Sequence, residues 1–231
     1  MPVLVLSADL WRALALALWA AVLLRSSVDG RLDLLLRSAF HPLVAAAGVL
    51  LFALAILQLG VALAGRRVDS RREAPMALLT AVIAGLLLAL PPNPSFADLA
   101  SQRPGDDTAS DTLSFVLPPA QRSLTDWVRL LRSQPDPHLY DGDPVRISGF
   151  VLPNPNGQPQ LARLLVRCCL ADATPVGLPV RWPAAQPPPP ADQWLAIEGQ
   201  MAVESRTGGA LLVVVPARIT PIPRPLRPLE P

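Results

Sequence analysis

Long runs of apolar residues occupy the first ninety positions of the chain. Residues 43–64 contain no charged side chain, and residues 75–90 lie in a second uncharged run, in which closely spaced prolines are expected to end the helix near Leu90. A helix crosses a bilayer core of about 30 Å with roughly 20 apolar residues. These two runs and the segment 10–24, where Arg12 can snorkel to the interface, predict three spans. The sequence therefore predicts an α-helical transmembrane region over residues 1–91.

Two other structures fit part of this pattern. Segment 10–24 is also compatible with a cleaved signal peptide, but no basic residue precedes it and no small-x-small cleavage site follows cleanly. The apolar helices are also compatible with the core of a soluble protein. However, the uncharged run 43–64 is much longer than the 10–14 residues typical of a buried core helix, so membrane insertion is the favoured interpretation.

The placement of arginines predicts the orientation of these spans. With three spans, five arginines lie on one side of the membrane: Arg12, Arg66, Arg67, Arg71 and Arg72. Three lie on the other: Arg25, Arg31 and Arg37. Because cytoplasmic loops carry the excess of basic residues, we expect a multi-pass protein of the cell membrane. Everything after Leu90 is then extracytoplasmic.

Proline and polar residues distinguish the second half of the chain. Most of the 28 prolines lie there, which favours short strands and turns over long helices. Residues 92–120 are rich in Pro, Asp and Ser and are predicted to form an exposed linker. A short amphipathic helix is predicted next in SLTDWVRLLRS, with Ser123 as N-cap and Asp126 at the capping-box position.

Apolar residues then alternate with polar ones in five short segments. These segments are DGDPVRISGFVL, QLARLLVRCCL, PVGLPVRW, QWLAIEGQMAV and ALLVVVPARI. Five strands separated by turn signals predict a small antiparallel barrel or sandwich, and their number favours an OB-like barrel. We therefore expect an all-β, OB-like domain over residues 121–222, followed by an extended, proline-rich tail over residues 223–231.

Composition excludes several function classes. The chain has two His and two Cys, and it contains no HExxH motif, Gly-rich phosphate loop or Ser-His-Asp arrangement. Its formal net charge is only +2 and its aromatic content is low, whereas nucleic-acid binding by such a domain requires a basic groove and surface aromatics. We therefore expect no nucleic-acid partner.

Reactive groups come close together only in RLLVRCCLADA, residues 163–173. On a regular strand the side chains alternate between faces. Cys168 would then face the core, where burial raises the pKa of its thiol. Cys169 would share a basic surface with Arg163 and Arg167, which favour the thiolate.

Four interpretations of the cysteine pair remain open. Cys168, Cys169 and Asp172 could bind a metal ion, provided that a bulge or turn at 168–169 brings both sulfurs to one ion and a partner supplies further ligands. The pair could form a strained, easily reduced disulfide that acts as a redox switch. Cys169 could bind a thiol-seeking ligand, or both cysteines could pack as small hydrophobic residues.

The run RCCLADATPVGLPV resembles the YcgQ-like family of uncharacterised bacterial membrane proteins, which combine N-terminal spans with a Cys-Cys-x-Ala-Asp-Ala signature domain. The segments YDGDPVRISGFV, DQWLAIEGQM and ARITPIPRP also resemble this family, as do AFHPL and LALPPNPS. Position 170 is Leu, where the resemblance leads us to expect a small residue. The matching signature positions are Cys168, Cys169, Ala171, Asp172 and Ala173, followed by Pro175, Val176 and Gly177.

The family resemblance also implies a role. Such proteins are typically encoded beside a predicted multi-span permease, which implies a substrate-binding, metal-binding or gating accessory subunit and not an enzyme. Cys168, Cys169 and Asp172 are then the candidate ligand contacts, with Arg163 and Arg167 tuning the thiols. A thiolate-bound metal ion is the candidate cofactor. The alternative is a thiol-based redox sensor or oxidoreductase.

Overall fold

The chain forms two compact units, Met1–Asn93 and Pro94–Pro231. The computed structural model describes residues 8–64, 74–103, 117–154, 157–184, 187–206 and 209–230. The first unit is helical and the second contains a β-sheet.

The described residues of the first unit contain four α-helices: α1 (Ala8–Val28), α2 (Leu32–Leu35), α3 (His41–Leu63) and α4 (Ala74–Ala89). Helix α1 packs against both α3 and α4. The buried side chains are mostly alanines, including Ala20, Ala55 and Ala84. At Gly48 of α3, an added Cβ would lie 2.9 Å from the Leu24 side chain of α1. Small residues at such contacts let helices approach closely, as in membrane bundles.

Within the ranges that the structure describes, two helical stretches are long and apolar enough to cross a membrane, Asp9–Val28 and Ser38–Leu63. They suggest membrane association. The third predicted span, 75–90, forms α4, whose 16 residues extend only about 24 Å at 1.5 Å per residue. This is shorter than the bilayer core, so the described residues provide two helices that are long enough to cross it and not the three that were predicted. Arg66, Arg67, Arg71 and Arg72, on which the predicted orientation depends, lie outside the described residues.

The full-length chain is expected to sediment with membranes and to dissolve only in detergent. Large apolar side chains of α3 face outward, among them Leu43 and Leu57, both 64% exposed. If these side chains were exposed to water, each would lose about 1.5–3 kcal/mol of the free energy that burial provides, whereas lipid can cover them. High-speed centrifugation at high salt, with and without detergent, tests this expectation. Recovery of the full chain in the detergent-free supernatant would contradict it.

Among its described residues, the second unit contains six strands: β1 (Pro144–Leu152), β2 (Gln160–Leu165), β3 (Thr174–Pro179), β4 (Trp194–Arg206), β5 (Gly209–Pro221) and β6 (Leu229–Glu230). The first five form an antiparallel sheet in the order β3-β2-β1-β4-β5. Each overlaps a segment predicted as a strand, so the antiparallel sheet is confirmed.

The sheet is not closed into the predicted OB-like barrel. In the part of the chain that the structure describes, its two ends meet at one isolated parallel bridge, between Val180 and Val214. Strand β3 ends at Pro179, which has no N–H to donate to a continued ladder. Beyond Pro179 the described residues form one backbone hydrogen bond across this junction, from the Arg181 N–H to the Val214 carbonyl at 2.9 Å, and no continuous ladder.

Helix α6 (Leu124–Ser133) covers one face of the sheet. It begins with the predicted capping box, in which the Ser123 hydroxyl accepts from the Asp126 N–H and the Asp126 carboxylate accepts from the Ser123 N–H. Trp127 is fully buried and packs edge-on against Tyr140, with ring centroids 6.0 Å apart. The local capping signal thus positions the helix that closes the core.

Helix α5 (Phe96–Ser101) lies within the segment predicted as an exposed linker, and the structure places it in the folded unit instead. Phe96 is 1% exposed, and its ring centroid lies 5.8 Å from that of Phe150 and 6.1 Å from that of Trp194. The backbone N–H of Ala97 donates to the Asp192 carboxylate at 2.6 Å. A single buried aromatic among polar residues gives no periodic signal, which is why the composition of 92–120 indicated a linker.

The proline-rich tail, which was predicted to be extended, is part of the folded unit. Strand β6 pairs with β2 in parallel, with Leu164 opposite Leu229. The Arg224 guanidinium lies 5.0 Å from the centre of the Phe96 ring. Residues 223–230 therefore contribute to the folded unit beside β2.

Candidate functional site

The cysteine pair lies in the loop between β2 and β3. Strand β2 ends at Leu165, and a 3-10 helix over Leu170–Asp172 precedes β3. The prediction of one continuous strand from Gln160 to Leu170 is therefore wrong beyond Leu165. The turn that a metal site would require at positions 168 and 169 is present.

The Asp172 carboxylate organises this loop. Its Oδ1 accepts the Arg167 N–H at 2.9 Å, and its Oδ2 accepts the N–H groups of Cys168 at 2.8 Å and Cys169 at 3.3 Å. Burial raises the pKa of Asp172. The hydrogen bonds from the Cys168 thiol and these N–H groups outweigh that effect, so the pKa lies below its ordinary value. Asp172 is therefore a carboxylate at neutral pH.

Both thiols are free, and the two sulfurs lie 3.4 Å apart. Cys168 is exposed and Cys169 is half-buried, so the prediction that Cys168 packs in the core is wrong. Hydrogen bonding to the Asp172 carboxylate, and then to Cys169, raises the pKa of the Cys168 thiol to about 12. The direction agrees with the prediction, but the main cause is a neighbouring carboxylate and not burial. At neutral pH Cys168 is a neutral thiol.

Arg163 does not face the surface predicted for it. It is only 8% exposed, and its guanidinium donates to the carbonyl and hydroxyl of Ser148, each at 2.8 Å. It also lies 3.6 Å from a Glu230 oxygen and 4.9 Å from the centre of the Trp194 ring. Burial lowers the pKa of Arg163, and Glu230 opposes this shift. The tail and β4 cover the face of β2 that the alternation pattern assigned to solvent.

Arg167 is exposed, and its backbone N–H donates to Asp172. This contact uses the main chain and does not depend on the arginine side chain. The structure thus brings together Cys168, Cys169 and Asp172, and it gives Arg163 a role in packing.

Arg103 lies just after α5, and its guanidinium binds backbone carbonyl groups of the loop between β2 and β3. Its Nη1 donates to the Leu170 carbonyl at 3.0 Å and to the Ala173 carbonyl at 2.6 Å. Sequence reasoning missed this residue because it lies within the predicted linker. No local signal connects it to carbonyl groups so distant in the chain.

The remaining signature positions build the scaffold of the loop. Ala171 is exposed and Ala173 is buried. Three further positions lie in β3: Pro175, Val176 and Gly177. Gly177 pairs with Ala162 of β2, and an added Cβ there would lie 2.9 Å from the Gln160 amide oxygen. These residues fix how β3 packs on β2, and thereby where the loop begins and ends.

The arrangement provides soft and hard donor atoms on one short loop. The sulfurs of Cys168 and Cys169 and a carboxylate oxygen of Asp172 all lie within 4.8 Å of one another. Thiolates and carboxylates together suit borderline metal ions such as zinc. The sulfur contact is also compatible with disulfide formation, although a nucleophilic thiol needs a low pKa, which Cys168 does not have.

Comparison with known proteins gives a family match for part of the chain. No curated protein and no solved structure matches the chain. Residues 121–228 match the family described as the DUF1980 C-terminal domain, which is uncharacterised. The match is compatible with the YcgQ-like resemblance. It spans α6, β1 to β5 and the cysteine loop, whereas Arg103 and Glu230 lie outside it. The sheet-containing part of this chain is thus similar to DUF1980 C-terminal domains.

Proposed function

We propose that this chain is an accessory subunit of a multi-span permease, not an enzyme. Its helices anchor it in the cell membrane, and its sheet unit presents the cysteine loop to a substrate or metal ion. The observation that carries this proposal is the grouping of two thiols and a carboxylate within 4.8 Å on one loop. The two apolar helices and the match to an uncharacterised family are consistent with it.

A presenting subunit needs a ligand-binding group that is reachable and fixed in place. Cys168 is exposed, which makes the loop reachable from solvent. The bonds from Arg103 to Leu170 and Ala173 fix the loop. Because the Cys168 thiol has a pKa of about 12, it is a weak nucleophile at neutral pH, which favours binding over covalent catalysis.

The proposal includes a multi-pass topology with the sheet unit on the extracytoplasmic side. It follows from the excess of arginines on the side of the N-terminus when three spans are counted. On that side of the membrane the loop would meet incoming solute before the permease does.

Copurification from native membranes tests the proposed role. The full-length chain, tagged and extracted in mild detergent after crosslinking, is expected to recover a multi-span permease in near-stoichiometric amount. An unrelated multi-pass protein with the same tag is the control for nonspecific capture. The double variant Cys168→Ser, Cys169→Ser should still recover the permease but should abolish its transport. Repeated failure to recover any permease would overturn the proposal.

The 3.4 Å contact between the sulfurs favours a second candidate, a thiol-based redox sensor or oxidoreductase. In that reaction the two thiols would lose two electrons and two protons to an external disulfide, forming one S–S bond while the oxidant is reduced to two thiols. Treatment of the full chain with oxidised glutathione, followed by intact mass measurement, tests it. A mass lower by two hydrogens after this mild oxidation would support the candidate, and a mass unchanged from that of the reduced chain would exclude it.

A further inference from the structure

We infer that the loop between β2 and β3 is an exchange site for a borderline divalent cation of the zinc class, bound by the thiolates of Cys168 and Cys169 and by one oxygen of Asp172. This inference rests on the proposed function only in naming the ligand that the subunit presents. Binding of the cation by the chain does not require the permease.

The separation of the sulfurs fits one shared ion. A tetrahedral ion at about 2.3 Å from each sulfur would hold the two sulfurs roughly 3.8 Å apart. The sulfurs lie 3.4 Å apart, so small rotations of the two side chains suffice. On a regular strand, adjacent cysteines would point to opposite faces, whereas the turn beyond Leu165 brings both sulfurs together.

The Asp172 carboxylate can bind an ion without releasing the loop. Two carboxylate oxygens offer about four acceptor positions. Backbone N–H groups occupy three of these positions, two on Oδ2 and one on Oδ1. The Cys168 thiol donates to the same carboxylate, and that bond is given up when the thiol loses its proton, which leaves a position for the ion. As the ion binds, the two thiol protons pass to solvent and two metal–sulfur bonds form. Two thiolates and a carboxylate then carry three negative charges, and a divalent cation offsets most of their mutual repulsion.

Incomplete coordination indicates an exchange site instead of a structural one. Structural zinc sites are closed by four protein ligands, whereas sites that exchange or activate a ligand keep a position open. The group found among the described residues comprises three side chains, and one of them, Cys168, is exposed. Water or a donor atom on a partner can occupy the open position, so the ion can enter and leave without unfolding the loop.

Arg103 is a positioning residue for this site. Through the Leu170 and Ala173 carbonyls it fixes the 3-10 turn that contains Asp172. It supplies no ligand atom to the ion. Its replacement should therefore weaken metal binding while leaving both metal–thiolate bonds intact, an outcome that loss of a thiolate ligand would not produce.

Spectroscopic metal titration of the reduced full-length chain in detergent tests the site. With Cd²⁺ as probe, we expect one equivalent to bind with a thiolate-to-metal absorption band, and Zn²⁺ to displace it. The band should weaken in Cys168→Ser and in Cys169→Ser and should be absent from the double variant. Asp172→Asn and Arg103→Gln should retain the band but lower the affinity by about 10–100-fold. Asp126→Asn, which removes the same kind of capping carboxylate from α6, is the matched control and should bind as wild type.

Three results would overturn the inference. These are no band in the reduced wild type, an equal band in the double serine variant, or a stoichiometry of one ion per two chains. The outcome is separable from that of the permease test. A chain that binds Cd²⁺ but never recovers a permease contradicts only the accessory role, and a chain that recovers a permease but binds no ion contradicts only the metal site.

Discussion

Replacing Asp172 with Asn is expected to speed the alkylation of Cys168 by up to about 50-fold near pH 8. In the wild type, hydrogen bonding to the carboxylate and to Cys169 raises the thiol pKa to about 12, against an ordinary value of 9.0. Removing the negative charge should return the pKa toward that value. A complete return would raise the thiolate fraction near pH 8 about 1000-fold and would lower the intrinsic nucleophilicity about 20-fold. The hydrogen bond to Cys169 keeps part of the shift, so these figures set the upper limit of the effect.

The pH dependence of the alkylation rate shows directly whether the pKa of the Cys168 thiol is raised or lowered. Because the wild-type pKa is raised, its alkylation rate should keep increasing with pH well beyond 10, whereas the Asp172→Asn rate should level off near the ordinary thiol pKa. Iodoacetamide labelling of the full chain, with tandem mass spectrometry to separate Cys168 from Cys169, measures both profiles. Asp126→Asn should follow the wild type. A wild-type rate that levels off near pH 9 would contradict the hydrogen bond between the thiol and Asp172.

The strands of the sheet and helix α6 could be predicted because their signals are local. Alternating apolar residues identify each of the five strands, and Ser123 with Asp126 three residues later marks the start of α6. Each signal lies within about a dozen residues, so no knowledge of the tertiary structure is needed to recognise it. Strand pairing around a closed barrel is not local, and the open path of the sheet could not be deduced from the strands alone.

Contacts between distant parts of the chain could not be predicted. Phe96 is an isolated aromatic in a Pro- and Asp-rich segment, and its burial depends on Phe150 and Trp194. Arg103 donates to carbonyl groups, which every residue possesses, so no side-chain pattern marks its targets. Arg163 follows the alternation of β2 correctly, but the tail and Trp194 cover the face on which it lies.

The cysteine loop was only partly predictable. The chemistry of Cys168, Cys169 and Asp172 can be read from the sequence, but strand alternation assigned the wrong burial to Cys168. One local signal does indicate the turn. Asp172 lies three residues after Cys169, the spacing of a capping box, and the structure has this box at the 3-10 helix. A capping carboxylate at that spacing favours the end of a strand over its continuation.

Replacing Phe96 with Ala is expected to destabilise the sheet unit by about 3–5 kcal/mol, the usual cost of truncating a buried Phe. Phe96 is 1% exposed, it packs against Phe150 and Trp194, and the Arg224 guanidinium covers its ring. For a denaturant slope of about 2 kcal/mol per molar, the urea midpoint should fall by about 2 M. Pulse proteolysis of the full chain in detergent at increasing urea concentration measures this midpoint.

Leu226→Ala is the matched control for Phe96→Ala, because Leu226 is an apolar residue of the tail that is 89% exposed. Its replacement should change stability by no more than about 0.5 kcal/mol. Equal midpoints for Phe96→Ala and the wild type would mean that α5 does not stabilise the sheet unit. If the midpoint falls as expected, α5 is an integral part of that unit. Its undocking would then also withdraw Arg103 from the Leu170 and Ala173 carbonyls, so the variant should weaken Cd²⁺ binding although Phe96 does not contact the cysteines.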